Sequence, residues 1–463
     1  MQKLFDEVGS LDKRCYEKFG LSEDLLMEHA ADGMADFIRS RFTKGSKIIA
    51  VCGSGNNGAD GIALSRLLIG DYDIHTFFVK DLKADMAILQ QKRAHAIGVK
   101  KTIELNDCDV LVDAVFGTGF RGDLDYEEKA VLQTMNNMEA FKIACDVPSG
   151  LKANGECDEN IFCADVSLTM GALKKSMYSD SAKEFVGEIV VLDLGVPRNR
   201  YETLSNWYLL DLEDIKLPHR SKKDAHKGSY GHLAVISGQK IGASTLSAKA
   251  ALRFGTGLVS LVGAKDLKRP HTIMHSYEIP QNATAIALGM GLGEVLSSKE
   301  LHAFLDNDLP LIGDADIFHM EILDRILLRE NVVLTPHPKE FVALLKYTQL
   351  ADIDIAELQQ SRFKYVELFC KAYPRIVLLL KGANVIIGQD EEFFVNPHGT
   401  QALAKGGSGD VLSGLIGALL AQKYTSLEAA IHASLAHVKL VLAYKGNDFS
   451  LTPDDLIAQI GNL

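Results

Sequence analysis

The stretch "VCGSGNNGADGIALSRLL", Val51 to Leu68, decides how the first half of the chain is read. An apolar run, "KIIAVC" (47–52), leads into it and predicts a buried strand. Glycines 53, 55 and 58 then spell G-x-G-x-x-G ahead of a helical pattern. In a dinucleotide-binding fold such glycines allow a tight turn and a close pyrophosphate, and an acid about 20 positions on holds the ribose. Asp81 stands at a workable distance for that role. The remaining letters point elsewhere. Asn56 and Asn57 fill the variable positions, and Asp60 opens the helix. A carboxylate in the first helical turn complements the macrodipole by ~0.3–1 kcal/mol and competes with a pyrophosphate for the same amides. Two carboxamides and a carboxylate suit a polar neutral group or a weakly charged cation.

Two further loops have this character. "DAVFGTGFRGDL" follows the run "DVLVDAVF" (109–116), with Asp113 at the strand end and Gly117, Thr118, Gly119, Phe120, Arg121, Gly122 and Asp123 beyond it. "CDVPSGL" follows "KIACD" (142–146) and carries Asp146 and Ser149. With "IHTFFV" (74–79) and "EIVVLDL" (188–194) these runs alternate with helical patterns, the rhythm of a parallel sheet covered by helices. Ligands of such sheets bind beyond the carboxyl ends of the strands, where all three loops lie. Arg121 among glycine amides is a credible phosphate contact. Asn57, Asp113 and Ser149 pool oxygen atoms for one monovalent cation. The segment 21–41 predicts a helix capped by Ser22, with Leu25, Leu26, His29, Met34 and Phe37 on one face.

The 463 residues suggest two or three domains, and 47% hydrophobic with 24% charged residues is ordinary for a globular chain. A net charge of -12 argues against a nucleic-acid or anionic-membrane binder. Seven cysteines with no C-x-x-C read as reduced core residues. No secretory h-region is expected in "MQKLFDEVGSLDKRC", and the apolar window at "VLSGLIGALLA" is about half the ~20 residues of a bilayer span, so a cytoplasmic protein is expected. The composition turns polar and basic at 211–230, which places a boundary there and gives domains of 1–210 and 211–463. Lys216, Arg220, Lys222, Lys223 and Lys227 read either as a solvated linker or as a lip over an anionic ligand.

The second half repeats the α/β style. Its strands are expected at 231–238, 258–263, 309–316, 332–336 and 375–381, and its last helices at about 408–422, 426–444 and 453–461. "ALAKGGSGDVLSGLIGALLA" (402–421) sets Gly406, Gly407 and Gly409 before an apolar helix with Asp410 in its first turn. Amides at such a start make a hole for a transferring phosphoryl group, and an adjacent Asp can take the proton of an attacking hydroxyl. No G-x-x-x-x-G-K-[ST] is present. "LKGANVII" (380–387) offers Lys381 and Gly382 to a nucleotide, and "LTPHPKEF" (334–341) puts His337 and Glu340 at a strand end, a weak metal pair for lack of a third ligand. "LGMGLG" (288–293) is a close-approach loop. Ala243, Ser244, Ser247 and Ala248 belong to a small-residue helix, read more as packing than as ligand contact.

These motifs identify a resemblance. "GSGNNGADG", "DAVFGTGFRG" and "DVPSG", in order, resemble the NAD(P)HX epimerase family over about 1–210. "GASTLSAKAALRFGTGLV", "TPHPKE", "LKG" and "GSGD" resemble the NAD(P)HX dehydratase family, with its ribokinase-like fold, over about 225–463. The resemblance implies an α/β protein of two domains: a Rossmann-like three-layer α/β/α sandwich, then a ribokinase-like α/β domain. It implies that Asn56, Asn57, Gly58, Ala59, Asp60 and Gly117 to Asp123 line the hydrated-nucleotide site. Asp146 would act at the reacting ring, and Asn57, Asp113 and Ser149 would bind potassium. In the second half Ala243, Gly291, His337 and Asp410 would bind the hydrate. Lys381, Gly382, Ala383, Asn384, Val385 and Gly409 would hold ADP, with magnesium on its phosphates and Asp410 activating the ring hydroxyl. The implied substrates are NADHX, NADPHX and ADP, and a homo-oligomer is expected. The chain departs from the family at Ala59, where a methyl would narrow the pocket, at Met290, and at Lys405-Gly406-Gly407, where Lys405 would add a cation near the phosphates. The competing reading is a small-molecule kinase carrying a non-catalytic N-terminal binding module.

Overall fold

Alternate residues of the strand Lys47–Cys52 face two different apolar clusters. Ile48, Ala50 and Cys52 join one, and Ile49 and Val51 join the other. A strand buried on both faces needs helices on both sides, which is why this run is continuously apolar. The computed structural model describes residues 1–221, 223–263 and 269–463. It divides into two units, one made of Gln2–Trp207 and one of Met1 with Tyr208–Leu463. Lys222, one of the five basic residues of the boundary segment, lies outside the described residues.

The strands of the first unit are β1 (Gln2–Phe5), β2 (Lys47–Cys52), β3 (Asp73–Phe78), β4 (Lys100–Thr102), β5 (Val110–Ala114), β6 (Phe141–Cys145), β7 (Val166–Met170), β8 (Leu173–Lys174) and β9 (Glu188–Leu192). Its helices are α1 (Gly9–Phe19), α2 (Glu23–Arg41), α3 (Asn56–Leu68), α4 (Asp85–Ile97), α5 (Tyr126–Asn137) and α6 (Arg198–Tyr201). Seven strands form a parallel sheet in the order β4-β3-β2-β5-β6-β7-β9. The order reverses at β2, so the loops after β2 and β5 flank a topological switch point, the place where doubly wound sheets bind ligands. Strand β7, "VSLTM", is additional to the expected strands. Its serine and threonine break the apolar pattern, yet Ser167 and Thr169 are buried.

Helix α2 starts at its expected cap, where Ser22 accepts a hydrogen bond from the Leu25 amide. Its buried stripe differs from the expected one. Leu26, Met27, Ala30, Ala31, Met34, Ala35 and Ile38 are buried, while Leu25 is 46% exposed. Alanines allow a close approach to α3, and they carry the stripe expected of larger residues. The glycines of the opening loop serve backbone packing. A Cβ on Gly53 would stand 2.0 Å from the Val115 carbonyl oxygen, and one on Gly58 would stand 2.1 Å from that of Gly53. Gly55, the position a pyrophosphate would approach, has open space around it and serves as the N-cap of α3.

The strands of the second unit are β10 (Trp207–Leu209), at the division, then β11 (His232–Ile236), β12 (Leu258–Val262), β13 (Met274–Ser276), β14 (Ala285–Leu288), β15 (Leu311–Gly313), β16 (Val332–Leu334), β17 (Ile376–Leu380), β18 (Val385–Gln389) and β19 (Glu392–Asn396). Its helices are α7 (Ile241–Arg253), α8 (Ser298–Phe304), α9 (Ile322–Leu327), α10 (Pro338–Tyr347), α11 (Ile355–Gln360), α12 (Arg362–Ala372), α13 (Ser408–Ala421), α14 (Ser426–Ala443) and α15 (Pro453–Gln459). The order β13-β12-β11-β14-β15-β16-β17 is parallel, and the hairpin β18–β19 continues it antiparallel. The order reverses between β11 and β14. The expectation of two α/β units holds; β10, β13, β14, β18 and β19 are additional strands.

Helix α13 packs on α7 at close range. A Cβ on Gly414 would meet the Ser247 carbonyl oxygen at 2.3 Å, and Ser244, Ser247 and Ala248 are buried there. The boundary segment is wound onto its own unit. Arg220 lies over the Tyr230 ring at 4.4 Å, and the Lys216 amide donates to His432 Nδ1. Among the described residues, one helix, Ser426–Ala443, is long and apolar enough to cross a membrane, and 67% of it is buried inside the protein. It matches the helix expected at about 426–444, and His432, His437 and Lys439 interrupt its apolar run.

Candidate functional site

In the first unit the switch-point loops enclose a cavity of about 820 Å³. Asn56, Asn57 and Asp60 line it from α3, Gly117 to Arg121 and Asp123 from the loop after β5, and Asp146 from the loop after β6. The fold therefore brings these expected residues together. Gly58, Ala59 and Gly122 are not among its lining residues. The Ala59 methyl is fully buried against Met27 and Ala87, so it fills core and does not narrow the pocket. Asp81 is absent from the wall as well; its neighbour Lys80 lines it and pairs with Asp125 and Glu128.

Asp146 has φ 73°, a left-handed conformation that costs a non-glycine residue about 1–3 kcal/mol. Lys174 holds it. The Lys174 ammonium is fully buried and donates to Asp146 Oδ1 at 2.5 Å, to Thr169 Oγ1 at 2.8 Å and to the Met170 carbonyl at 2.8 Å. The Met170 amide donates to the same Oδ1 at 3.1 Å. The other oxygen, Oδ2, lies 3.4 Å from where a Cβ on Gly117 would stand. Sequence reasoning missed Lys174. Its one signal was a lysine shortly after the run that forms β7.

Asp113 and Ser149 meet directly. Ser149 donates its amide to Asp113 Oδ2 at 2.7 Å and its hydroxyl to Oδ1 at 2.6 Å, and accepts from the Phe116 amide at 2.8 Å. Burial pushes the Asp113 carboxyl up to about 6, against the pull of its bonds to Ser149. Asn57 stands across the same loop, its Oδ1 3.2 Å from the Gly117 Cβ position, and its buried Nδ2 has no hydrogen-bond partner. These oxygens are hard donors of low total charge, a set that fits a potassium ion.

In the second unit Asp410 sits in the first turn of α13, its backbone carbonyl held by the Ser247 hydroxyl at 2.7 Å. Burial, then the charge of Asp314, raises its carboxyl to about 6, with Lys381 opposing. Lys381 Nζ is 2.8 Å from Asp314 Oδ1, and Ser413 donates to Asp314 Oδ2 at 2.8 Å. Glu340 lies 3.9 Å from Lys381 and 3.2 Å from His337 Nε2, and burial raises it to about 7. His337 caps α10 through Nδ1; burial and then Lys381 hold its imidazole below the usual histidine range. Asp314 was not singled out from sequence, although "GDAD" at a strand end in a parallel sheet marks the ligand edge.

The other residues expected in this half fall around that cluster. Gly409 lies beneath Lys381, 3.7 Å from Nζ to its Cβ position. Gly291 has φ 70° and adjoins Ala243, 3.1 Å from its Cβ. Lys381 to Asn384 form the turn into β18, where Val385 begins the strand, and buried Arg362 donates to the carbonyls of Lys381 and Asn384. Two positions that depart from the family pattern have settings of their own. Lys405 donates to the Phe449 carbonyl at 2.8 Å, so this ammonium is already engaged away from the proposed phosphate site. Met290 is fully buried in the core cluster.

Residues 23–176 match a family model described as YjeF-related protein N-terminus, and residues 233–462 match one described as NAD(P)H-hydrate dehydratase. The chain is 43% identical to the bifunctional NAD(P)H-hydrate repair enzyme Nnr of Helicobacter pylori, over 100% of both chains. It is 30% identical to the enzyme of that name from Coxiella burnetii, over 98% of this chain and 97% of that one. A solved structure of an ADP/ATP-dependent NAD(P)H-hydrate dehydratase from Bacillus subtilis, co-crystallized with ATP/Mg2+, is 24% identical and covers 54% of this chain and 94% of that one, with a TM-score of 0.44.

Proposed function

We propose, since this chain belongs to the family of bifunctional NAD(P)H-hydrate repair enzymes, that its residues 1–210 interconvert the R and S forms of hydrated NADH and NADPH and its residues 211–463 dehydrate the S form with ADP. The pairing is chemically coherent, because a stereospecific dehydratase strands one epimer unless a second activity converts it. One observation carries the reading: each unit brings a carboxyl, Asp146 or Asp410, to a glycine-rich loop beyond the strands of its own sheet.

In the epimerase half, Asn56, Asn57 and the loop Gly117–Asp123 hold the hydrated nucleotide, and Arg121 meets its phosphates. Asp146 moves the proton of the ring hydroxyl; a positioned acid or base contributes typically 10²–10⁴-fold. Asn57, Asp113 and Ser149 would hold potassium through their side-chain oxygens, a reading supported by the hard-donor chemistry of the set and the Asp113–Ser149 contact. The bound ion supplies a fixed positive charge beside the site.

In the dehydratase half, Lys381 to Val385 and Gly409 bind ADP, while Ala243, Gly291 and His337 seat the hydrate. Asp410 takes the proton of the ring hydroxyl as its oxygen attacks the terminal phosphorus. The amides at the start of α13 hold the transferring group. Phosphate then leaves with that oxygen as the adjacent ring carbon gives up a proton to solvent, AMP remains, and the reduced nicotinamide is restored. Magnesium, when bound, neutralises phosphate charge. A cytoplasmic site of action is supported by the free thiols, five of which are buried. A homo-oligomer is supported by family analogy alone.

The test is one chain with two lesions. Asp146→Asn should lose epimerisation of the R hydrate and keep dehydration of the S hydrate, and Asp410→Ala should do the reverse. Full epimerisation by Asp146→Asn, read by chromatographic separation of the epimers, overturns the assignment.

A further inference from the structure

Two of the carboxyls that line the first unit's cavity, Asp146 and Asp60, sit in unlike settings. Asp146 has a buried lysine, a backbone amide and a threonine on one oxygen. Asp60 lies in the second turn of α3, which starts at Asn56 and so does not carry the acid expected in its first turn; it lines the same cavity with no hydrogen-bond or ion-pair partner among the described residues. Epimerising a carbon that carries a hydroxyl beside a ring nitrogen needs two proton carriers. One removes the hydroxyl proton, and the other protonates the nitrogen when the carbon–nitrogen bond opens. Unlike environments for two carboxyls in one site are the usual way a protein separates base from acid.

We infer that Asp60 is the proton donor that works opposite Asp146, and that Lys174 is the positioning residue that keeps the two carboxyls in different roles. The inference rests on the epimerase reading above. In the forward step Asp146 accepts the hydroxyl proton, a carbonyl forms, and the carbon–nitrogen bond breaks with its electron pair passing to the ring nitrogen. The nitrogen takes the proton of Asp60. The open aldehyde rotates to present its other face. On closure the nitrogen returns its proton to Asp60, attacks the carbonyl carbon, and the oxygen recovers its proton from Asp146. No group is consumed, and both carboxyls end as they began.

The surroundings support the division. Burial holds the Asp60 carboxyl well above the ordinary carboxylate range, and the negative charges of Asp146, Asp12 and Glu23 push the same way; Lys174 opposes them. The hydroxyls on the cavity wall are those of Tyr16, Ser54 and Thr118, and Tyr201 nearby donates to Asp12 at 2.7 Å. Lys174 spends its donors on Asp146 Oδ1, Thr169 and Met170, so its charge is fixed on the Asp146 side.

The experiment uses the full chain, pure R hydrate and no adenine nucleotide, with chromatographic separation of the epimers. Asp60→Asn should lower kcat by ~10²–10⁴-fold with KM changed little. Asp60→Glu should recover part of the loss. In the parent the rate should fall on the alkaline side, and Asp60→Asn should lack that limb. Lys174→Met should lower kcat while KM changes little, since Asp146 loses the ammonium that holds it, and Lys174→Arg should recover part of the loss. Fluorescence binding of the hydrate reports whether each variant keeps a formed site. A raised KM with unchanged kcat and an unchanged alkaline limb in Asp60→Asn would overturn the inference while leaving the epimerase reading intact. No epimerisation by the parent chain would overturn the reading itself.

Discussion

Lys381 Nζ and Asp314 Oδ1 stand 2.8 Å apart beneath the glycine turn that starts α13. The pair joins the end of β17 to the end of β15, and Ser413 on α13 takes the second carboxylate oxygen. Three elements are thereby tied at the point where Asp410 and the helix amides meet a phosphoryl group. Asp314 is nearly inaccessible, so its charge depends on those two partners.

Lys381→Met should leave that buried carboxylate with the serine alone. Breaking a buried pair from one side costs about 3–5 kcal/mol, and the partial exposure of Lys381 places this case at the low end. Denaturant melts of the whole protein should show the second unit unfolding earlier. Lys381→Met combined with Asp314→Asn should recover much of the loss. Equal stability of the single variant and the parent would show that the pair contributes little.

Asp410, held near 6 by burial and Asp314, sets a pH dependence. As a base it must be ionised, so kcat/KM for dehydration should rise through about pH 6 and level off above it. Stability runs the other way. A carboxyl whose folded value is raised costs stability above that value, and costs none below the ordinary carboxylate range. Asp410→Asn should therefore be more stable than the parent at pH 8, by up to ~3 kcal/mol, with the difference gone by about pH 4. Parallel melts at the two pH values check the sign.

Ser149→Ala removes the hydroxyl that donates to Asp113 and accepts from Phe116. Leaving those buried groups short of a partner should cost about 1–3 kcal/mol in the first unit. The same variant should lose any difference between potassium and sodium in epimerisation rate. Retained potassium dependence would place the ion elsewhere.

Gly414→Ala drives a methyl toward the Ser247 carbonyl, 2.3 Å away. Overpacking of this kind costs typically 1–3 kcal/mol. Ser247 also holds the Asp410 carbonyl, so a shift of α7 reaches the reacting carboxyl. Dehydration should fall several-fold while epimerisation is unchanged, as paired assays on one preparation would show.

Much of this is legible in the sequence because glycine loops after apolar runs mark the carboxyl edge of a parallel sheet. Asn57, Gly117 and Asp146 are found that way, and so is Asp410. Lys174 and Asp314 are not, because a buried lysine and a strand-end aspartate look ordinary until a partner far along the chain is placed beside them. β7 escapes because Ser167 and Thr169 disguise a buried strand as a polar one. Ala59 and Met290 look like ligand-site departures in the sequence; both side chains turn into the core, a direction that loop spacing does not encode. The G-x-G-x-x-G of the opening loop satisfies a dinucleotide pattern, yet Gly53 and Gly58 are required by backbone carbonyls 2.0 and 2.1 Å from their Cβ positions.

One chain should perform both repairs. An equal mixture of R and S hydrates, with magnesium and either ADP or ATP, should regain the full absorbance of reduced nicotinamide, with ADP the effective donor. Recovery stopping at the S fraction would contradict an active N-terminal half, and a stable phosphorylated product with no absorbance regained would contradict the repair reading altogether.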